Sequence, residues 1–272
     1  MDKDPSIEYP FEYHELRPEV TEEIKGYFNR DILTNFIRLG SAGYFFYKEF
    51  AGTALDVYHL PLRPSDIFVL SYPRSGTTWT QELVWLLQNE LDFNRATAVP
   101  LRIRFPFLES EGFSKMKFPP KRLEFQEKMT CIGIDSIKQL PSPRYIKSHM
   151  PLSLLPPSLL ETSKNTANLK NSGVFSFKAR DLPEIARRLA KFFGKEYSDE
   201  RIEALCNHLN FDNFKNNTSV NMEYSQSEKG SFIRKGKSGG WREHFDAEMT
   251  QQAETWIADN LRDTDLRFPS MY

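Results

Sequence analysis

The chain reads Tyr72-Pro73-Arg74-Ser75-Gly76-Thr77-Thr78-Trp79 between an apolar run at residues 67–70 and an amphipathic stretch at residues 80–91. This order predicts a strand, a tight loop and a helix. Free backbone N–H groups and the positive end of the helix dipole then meet at one point, which suits a phosphate or sulfate group. Gly76 lets the backbone approach such a ligand without a Cβ clash.

The side chains of this loop also suit an anion. Ser75, Thr77 and Thr78 offer hydroxyl donors, and Arg74 offers a permanent planar charge. An ordinary strand-to-helix turn with Ser/Thr capping is the simpler alternative. The spacing of a Walker A loop, G-x-x-x-x-G-K-[ST], is absent, and no acidic Mg²⁺ motif is evident, so a P-loop nucleotide kinase is disfavoured.

Three blocks of the chain resemble the cytosolic sulfotransferases, and they stand in the family's order. Residues 73–79 resemble the family's Pro-Lys-Ser-Gly-Thr-Thr-Trp loop, and residues 147–151, Lys-Ser-His-Met-Pro, resemble its Lys-Thr-His-Leu-Pro. Residues 232–236, Phe-Ile-Arg-Lys-Gly, followed by Gly240-Trp241, resemble the third block. The resemblance implies one sulfotransferase domain over residues 1–272, with a P-loop-like three-layer α/β/α fold around a central parallel sheet.

The resemblance also implies a reaction and its catalytic residues. A sulfuryl group would pass from 3′-phosphoadenosine 5′-phosphosulfate (PAPS) to a hydroxyl or amine of a phenol, alcohol, steroid or amine. His149 would take the acceptor proton, since imidazole titrates near neutral pH. Lys147 would steady the sulfonyl oxygens. Arg74 replaces the family's Lys, so it can supply charge to the leaving phosphate but cannot donate a proton.

Contacts to PAPS are implied along the whole chain. The resemblance assigns the phosphosulfate to Arg74, Ser75, Gly76, Thr77 and Thr78, and adenine to Trp79 and Phe211. It assigns the 3′-phosphate to the third block, Phe232, Ile233, Arg234, Lys235 and Gly236. Core packing is the alternative for Trp79, and a basic surface loop is the alternative for the third block.

One segment departs from the family's pattern. Residues 161–173 are polar and turn-rich and predict a loop. The family has much more here, including Arg-Asn-Pro-Lys-Asp and a later Ser, which bind the 3′-phosphate. The chain is therefore identified as an internally shortened member, with a deletion near residues 161–180 and part of the core missing. We expect disorder at residues 161–175 and weaker PAPS binding. A catalytically impaired variant that only binds PAPS or PAP is the alternative.

Bulk composition narrows the class of protein. The 272 residues carry 36 Lys+Arg and 37 Asp+Glu, a formal net charge of −1, which argues against a general nucleic-acid or membrane-surface binder. No apolar stretch reaches the length of a membrane span, and residues 1–5 do not suit a secretory signal, so we expect a cytoplasmic protein. Cys131 and Cys206 lack metal-ligand spacing, and no metal is expected. Residues 242–247 do not match the family's dimer motif, so dimerisation by that route is doubtful.

Overall fold

A computed structural model describes residues 11–27, 35–111, 132–159, 182–221, 233 and 243–263. The predicted shortened segment, including its expected disorder at 161–175, lies outside these ranges. So do Phe232, Arg234, Lys235 and Gly236 of the third block.

The sequence favours strands at residues 67–70 and 144–147, and the structure has a parallel strand pair close to these bounds. Strand β4, Ile67–Leu70, lies beside β5, Tyr145–Ser148, with Ile67 opposite Tyr145 and Leu70 opposite Ser148. A short stretch at residues 106–108 lies along the other edge of β5, where the Lys147 N–H donates to the Pro106 carbonyl (2.9 Å). The carboxyl ends of these strands therefore share one edge of the sheet, the edge where α/β folds bind ligands.

A second sheet is antiparallel and was not predicted. It has the order β1-β2-β3, with β1 at Tyr13–Glu15, β2 at Phe36–Leu39 and β3 at Tyr44–Tyr47. The Pro- and aromatic-rich composition of residues 1–19 predicts irregular structure, which is wrong at β1, because β1 pairs in register with β2. All three residues of β1 are exposed, so no apolar alternation marks it in the sequence.

Ten helices are present in the described ranges. They are α1 Pro18–Tyr27, α2 Ala51–Tyr58, α3 Thr77–Gln88, α4 Phe93–Ala98, α5 Leu101–Arg104, α6 Ile134–Gln139, α7 Leu182–Phe192, α8 Asp199–His208, α9 Phe211–Asn216 and α10 Ala247–Leu261. Two 3₁₀ turns occur at Lys48–Phe50 and Leu152–Leu154. The Pro- and Phe-rich composition of residues 96–120 predicts a long loop, which is wrong where α4 and α5 form. Residues 112–120 lie outside the description.

Two apolar clusters cover the two faces of the parallel pair. Val69 and Tyr145 pack into the first cluster with helices α3, α7 and α8, whereas Ile146 packs into the second with α2 and α6. This division follows from strand geometry, because successive side chains point to opposite faces. The fold is therefore α/β, with a parallel sheet between two covering layers, as the sequence predicts.

Helix α10 differs from the other long helices of the described part. Asp246 caps it by accepting from the Met249 N–H (2.8 Å), yet the helix has no buried residue, and Trp256 is 63% exposed. The helical spacing of Met249, Ala253, Trp256 and Ile257 predicts an apolar face on this helix, but none of the four side chains is buried. No helix in the ranges described has both the length and the apolar character needed to cross a membrane.

Candidate functional site

The loop between β4 and α3 leaves a helix start without a capping side chain. Gly76 is the N-cap of α3 at φ 90°, and no side chain among the described residues caps this end. The first intrahelical bond runs from the Thr80 N–H to the Gly76 carbonyl (3.0 Å). The N–H groups that precede it, those of Thr77 and Thr78 included, have no intrahelical acceptor. The space around Gly76 is open, with no atom within 4 Å of an added Cβ, so an anion could approach.

Other bonds fix the base of this loop. The hydroxyls of Ser71 and Thr77 lie 2.6 Å apart and close the loop across its base. Ser75 turns inward instead of toward a ligand, because its N–H (3.3 Å) and its hydroxyl (2.6 Å) both donate to the Tyr72 carbonyl. Arg74 adopts φ 67°, a left-handed conformation that is uncommon for residues other than glycine.

His149 follows β5 directly and is held at the start of the loop. Its Nδ1 lies 2.7 Å from the Ser71 carbonyl. A carbonyl can only accept, so Nδ1 carries the hydrogen and Nε2 keeps a lone pair that can receive a proton. Burial lowers the pKa of His149 below its ordinary value, and the nearby Lys147 charge lowers it further. The ring is therefore neutral at neutral pH, as a general base must be.

Lys147 lies beside His149 through a shared aromatic neighbour that sequence reasoning missed. The Lys147 ammonium stands 4.5 Å from the ring centroid of Phe107, and the His149 ring meets the same ring edge-on at 5.3 Å. Burial lowers the pKa of Lys147. The structure thus places Lys147 of β5 and the following His149, two of the predicted catalytic residues, against one aromatic ring.

A buried carboxyl, also missed, ties down the turn after β5. Glu109 Oε1 accepts from the His149 N–H (2.7 Å) and from the Ser148 hydroxyl (3.1 Å). The Ser148 hydroxyl in turn accepts from the Met150 N–H (3.0 Å). Burial raises the pKa of Glu109 to about 7, against the lowering effect of these donors and of Lys147. No motif around Glu109 could have revealed this role, since its partners are 39 and 40 residues away.

A second group of predicted residues lies around Trp79, in the first turn of α3. Trp79 donates from Nε1 to the Leu209 carbonyl (2.9 Å), two residues before Phe211 begins α9. One turn further along α3, the buried Glu82 accepts from His208 Nε2 (3.0 Å). Trp79 is half-buried, and Ile233 packs against the same apolar cluster. The structure therefore brings Trp79 next to the 208–211 segment, and it places Ile233 against the same large apolar cluster.

Comparisons with known proteins show which family the chain resembles. The model of the family described as "Sulfotransferase domain" matches residues 64–166 and 179–265, more than half of the chain. A solved structure of retinol dehydratase with androsterone and the inactive cofactor PAP is 33% identical, with a TM-score of 0.79, over 97% of this chain and all of that chain. Sulfotransferase 1E1 of Bos taurus is 24% identical over 82% of this chain and 92% of its own length. Luciferin sulfotransferase of Photinus pyralis is 26% identical over 76% of this chain and 74% of its own length.

Proposed function

The chain belongs to the sulfotransferase family, and from this premise we propose how its residues transfer a sulfuryl group from PAPS to a small-molecule acceptor. It is a PAPS-dependent sulfotransferase of the α/β fold described above. The observation that carries the residue assignment is the shared edge of β4 and β5. There Ser71 contacts both parts of the site: its hydroxyl meets the Thr77 hydroxyl at the start of α3, and its carbonyl accepts from Nδ1 of His149. No side chain in the described part of the chain caps that helix start, and Nε2 of His149 keeps a lone pair that can accept a proton.

The phosphosulfate end of PAPS fits the loop at residues 72–78. The Gly76, Thr77 and Thr78 N–H groups and the positive end of α3 would hold its charged oxygens. When bound, PAPS supplies an activated sulfuryl group with a phosphate as leaving group. Arg74 would offset the charge that develops on that phosphate. Ser75 can join these donors only if its bonds to Tyr72 break.

The adenine and 3′-phosphate end of PAPS would lie beside Trp79 in the first turn of α3. Trp79 and Phe211 would border adenine, and the contact of Trp79 with Leu209 supports that pairing. Ile233 packs against the same apolar cluster as Trp79, which is compatible with a role for its block in binding the 3′-phosphate. That block comprises Phe232, Ile233, Arg234, Lys235 and Gly236.

The acceptor side of the site depends on His149 and Lys147. Nε2 of His149 would take the proton from the acceptor hydroxyl as the S–O bond forms, because its pKa is low enough to keep it neutral. The Lys147 ammonium would stabilise the sulfonyl oxygens. Phe107 borders both groups and gives the site an apolar wall. Two solved relatives hold androsterone and retinol, so we infer an apolar acceptor that carries a hydroxyl group.

We further propose that the chain is an internally shortened member of the family. The family match is interrupted at residues 167–178, inside the segment that departs from the family's pattern, which supports this reading. The described residues hold nothing that favours an inactive variant, since the base, the lysine and the loop are all present. Calorimetry that compares PAP with its analogue lacking the 3′-phosphate tests the consequence. A preference below about tenfold is expected if contacts have been lost; a much larger preference would show that Arg234 and Lys235 suffice.

A transfer assay tests the activity. The chain is incubated with ³⁵S-labelled PAPS and one acceptor from each class: a retinoid alcohol, a steroid alcohol, a phenol and an aryl amine. Label should move to at least one hydroxyl acceptor, and ATP with Mg²⁺ should not serve as a phosphoryl donor. PAP binding without label transfer to any class would contradict the proposal and favour a binding protein.

A further inference from the structure

A stretch outside the three matching blocks runs along the catalytic strand. The Leu108 N–H donates to the Lys147 carbonyl (2.9 Å), and the Lys147 N–H donates to the Pro106 carbonyl (2.9 Å). This parallel pairing places Phe107 against both catalytic side chains. It also delivers the next charged residue, Glu109, to the backbone of the turn that bears His149.

Glu109 has the surroundings of a built-in anchor, not of a surface carboxylate. It is 4% exposed, and its Oε1 accepts from two donors on consecutive residues, the Ser148 hydroxyl and the His149 N–H. Its Oε2 is buried and has no hydrogen-bond partner among the described residues. A buried carboxyl with one oxygen that lacks a hydrogen bond lowers the free energy of unfolding, so Glu109 is a cost to the stability of the fold.

His149 is thereby fixed at two points. Its ring is anchored through Nδ1 to the Ser71 carbonyl (2.7 Å), and its backbone is anchored through the N–H to Glu109 (2.7 Å). The first bond selects the tautomer, and the second fixes the backbone of His149 relative to the stretch that bears Glu109. Displacing a reacting group by about 1 Å can cost about 100-fold in rate.

We propose that Glu109 is a positioning residue for sulfuryl transfer, whose carboxylate fixes the backbone of His149 and so aims its imidazole at the acceptor oxygen. This rests on the proposed role of His149 as the base. Two titratable groups of β5 and its following turn bear on the carboxylate: Lys147, whose charge favours the ionised form, and His149, which donates its N–H. Glu109 does not touch PAPS or the acceptor in this account; it acts through His149.

Single-turnover transfer tests the proposal in four variants. Glu109→Gln keeps the shape but loses the charge, and we expect the rate to fall about 10- to 100-fold with PAP affinity within twofold. Glu111→Gln is the matched control, since Glu111 lies two residues on and accepts from the Ile134 N–H (3.2 Å) instead of from the catalytic turn. It should change the rate less than twofold. The double variant Glu109→Gln/His149→Ala should be no slower than His149→Ala, because Glu109 acts through His149.

The pH profile gives a readout that a merely structural role would not move. The ionised Glu109 is the stronger acceptor, so the wild-type rate should fall as pH drops through about 7, the pKa to which burial raises this carboxyl. Protonation of His149 should cause a second fall, or limb, of the pH–rate profile. This limb lies at lower pH, because burial lowers the pKa of His149 from 6.5. In Glu109→Gln the limb near pH 7 should vanish and the lower limb should remain. An unchanged limb would overturn the proposal.

The role of His149 as the base and the role of Glu109 as its positioning residue can be tested separately. If His149→Ala keeps the wild-type rate, the base assignment fails, whatever Glu109 does. If His149→Ala is inactive while Glu109→Gln stays within twofold of wild type, only the positioning role fails. Should Glu109→Gln not fold, as shown by loss of PAP binding, Ser148→Ala removes the second donor of the same anchor. Ser148→Ala should slow transfer in the wild-type protein but should not slow it further in a protein that already carries His149→Ala. A further loss of rate in that double variant would overturn the proposal.

Discussion

Two turns follow the two parallel strands at the same edge of the sheet, and they are built in opposite ways. The turn after β5 is tightly bonded: Ser148 is fully buried, and the His149 N–H, the Met150 N–H and the Ser148 hydroxyl all have partners. The loop after β4 is exposed, with Tyr72 at 80%, and it ends at a helix start that no described side chain caps. If the proposed roles hold, the protein itself bonds the turn that bears the general base and leaves the donors of the anion-binding loop for a ligand.

This difference matches the task of each turn. A general base needs a fixed position and a fixed tautomer before the acceptor arrives, which hydrogen bonds within the protein provide. An anion-binding loop needs unsatisfied donors, and any internal partner for them would compete with the ligand. Variants in the β5 turn should therefore change the rate of transfer, whereas variants in the β4 loop should change cofactor binding as well.

The largest expected effect comes from the β5 turn. His149→Ala should slow single-turnover transfer by about 10²- to 10⁴-fold, the usual contribution of a general base. PAP affinity, measured by calorimetry, should stay within twofold, because the imidazole takes a proton from the acceptor hydroxyl and does not contact the cofactor. His14→Ala, on the exposed strand β1, is the control and should leave both quantities unchanged. A rate for His149→Ala within fivefold of wild type would remove the distinction between the two turns.

The charge of the β4 loop should have the next largest effect. Arg74→Ala should lower the transfer rate about 100-fold, the effect of removing one donor that stabilises developing charge. Arg74→Lys should keep most of the rate, since a positive charge remains. Arg187→Ala is a control at an exposed arginine paired with Asp199 (2.7 Å) and should not alter transfer. Full activity in Arg74→Ala would mean that the helix start alone carries the leaving phosphate.

Two glycines separate backbone strain from ligand binding. Gly76 (φ 90°) and Gly194 (φ 65°) are both left-handed, and both have open space where a Cβ would stand. Alanine at either position should cost about 1–2 kcal/mol of unfolding free energy, as denaturant titration would measure. Only Gly76→Ala should also weaken PAP binding, by about tenfold, because only it moves the donors at the start of α3. Equal PAP affinity in both variants would place the anion elsewhere.

The smallest effect is expected at the proposed adenine end. Trp79→Phe keeps an aromatic ring but loses the hydrogen bond to the Leu209 carbonyl, so PAP affinity should fall about three- to tenfold. Trp256→Phe, on the open face of α10, is the matched control and should not change affinity. If Trp79→Phe lowers thermal stability without any change in PAP affinity, core packing explains this residue.

The sequence predicts the parts of the site whose signals are local. Strand β4, the loop, helix α3 and the Lys147–His149 turn each leave a short pattern, and the structure places them close to their predicted bounds. Phe107 and Glu109 leave none, because their roles come from pairing with a strand some 40 residues away. The antiparallel sheet was missed for a related reason: β1 is short and exposed, and it is defined by its partner β2.

Amide hydrogen exchange, with and without PAP, tests the contrast between the two turns most directly. The His149 amide, already bonded to Glu109, should exchange slowly in the free protein and change little on binding. The Gly76, Thr77 and Thr78 amides should exchange fast in the free protein and slow by about tenfold or more when PAP binds. Fast exchange at His149 in the free protein, or no protection of the three loop amides by PAP, would contradict the account.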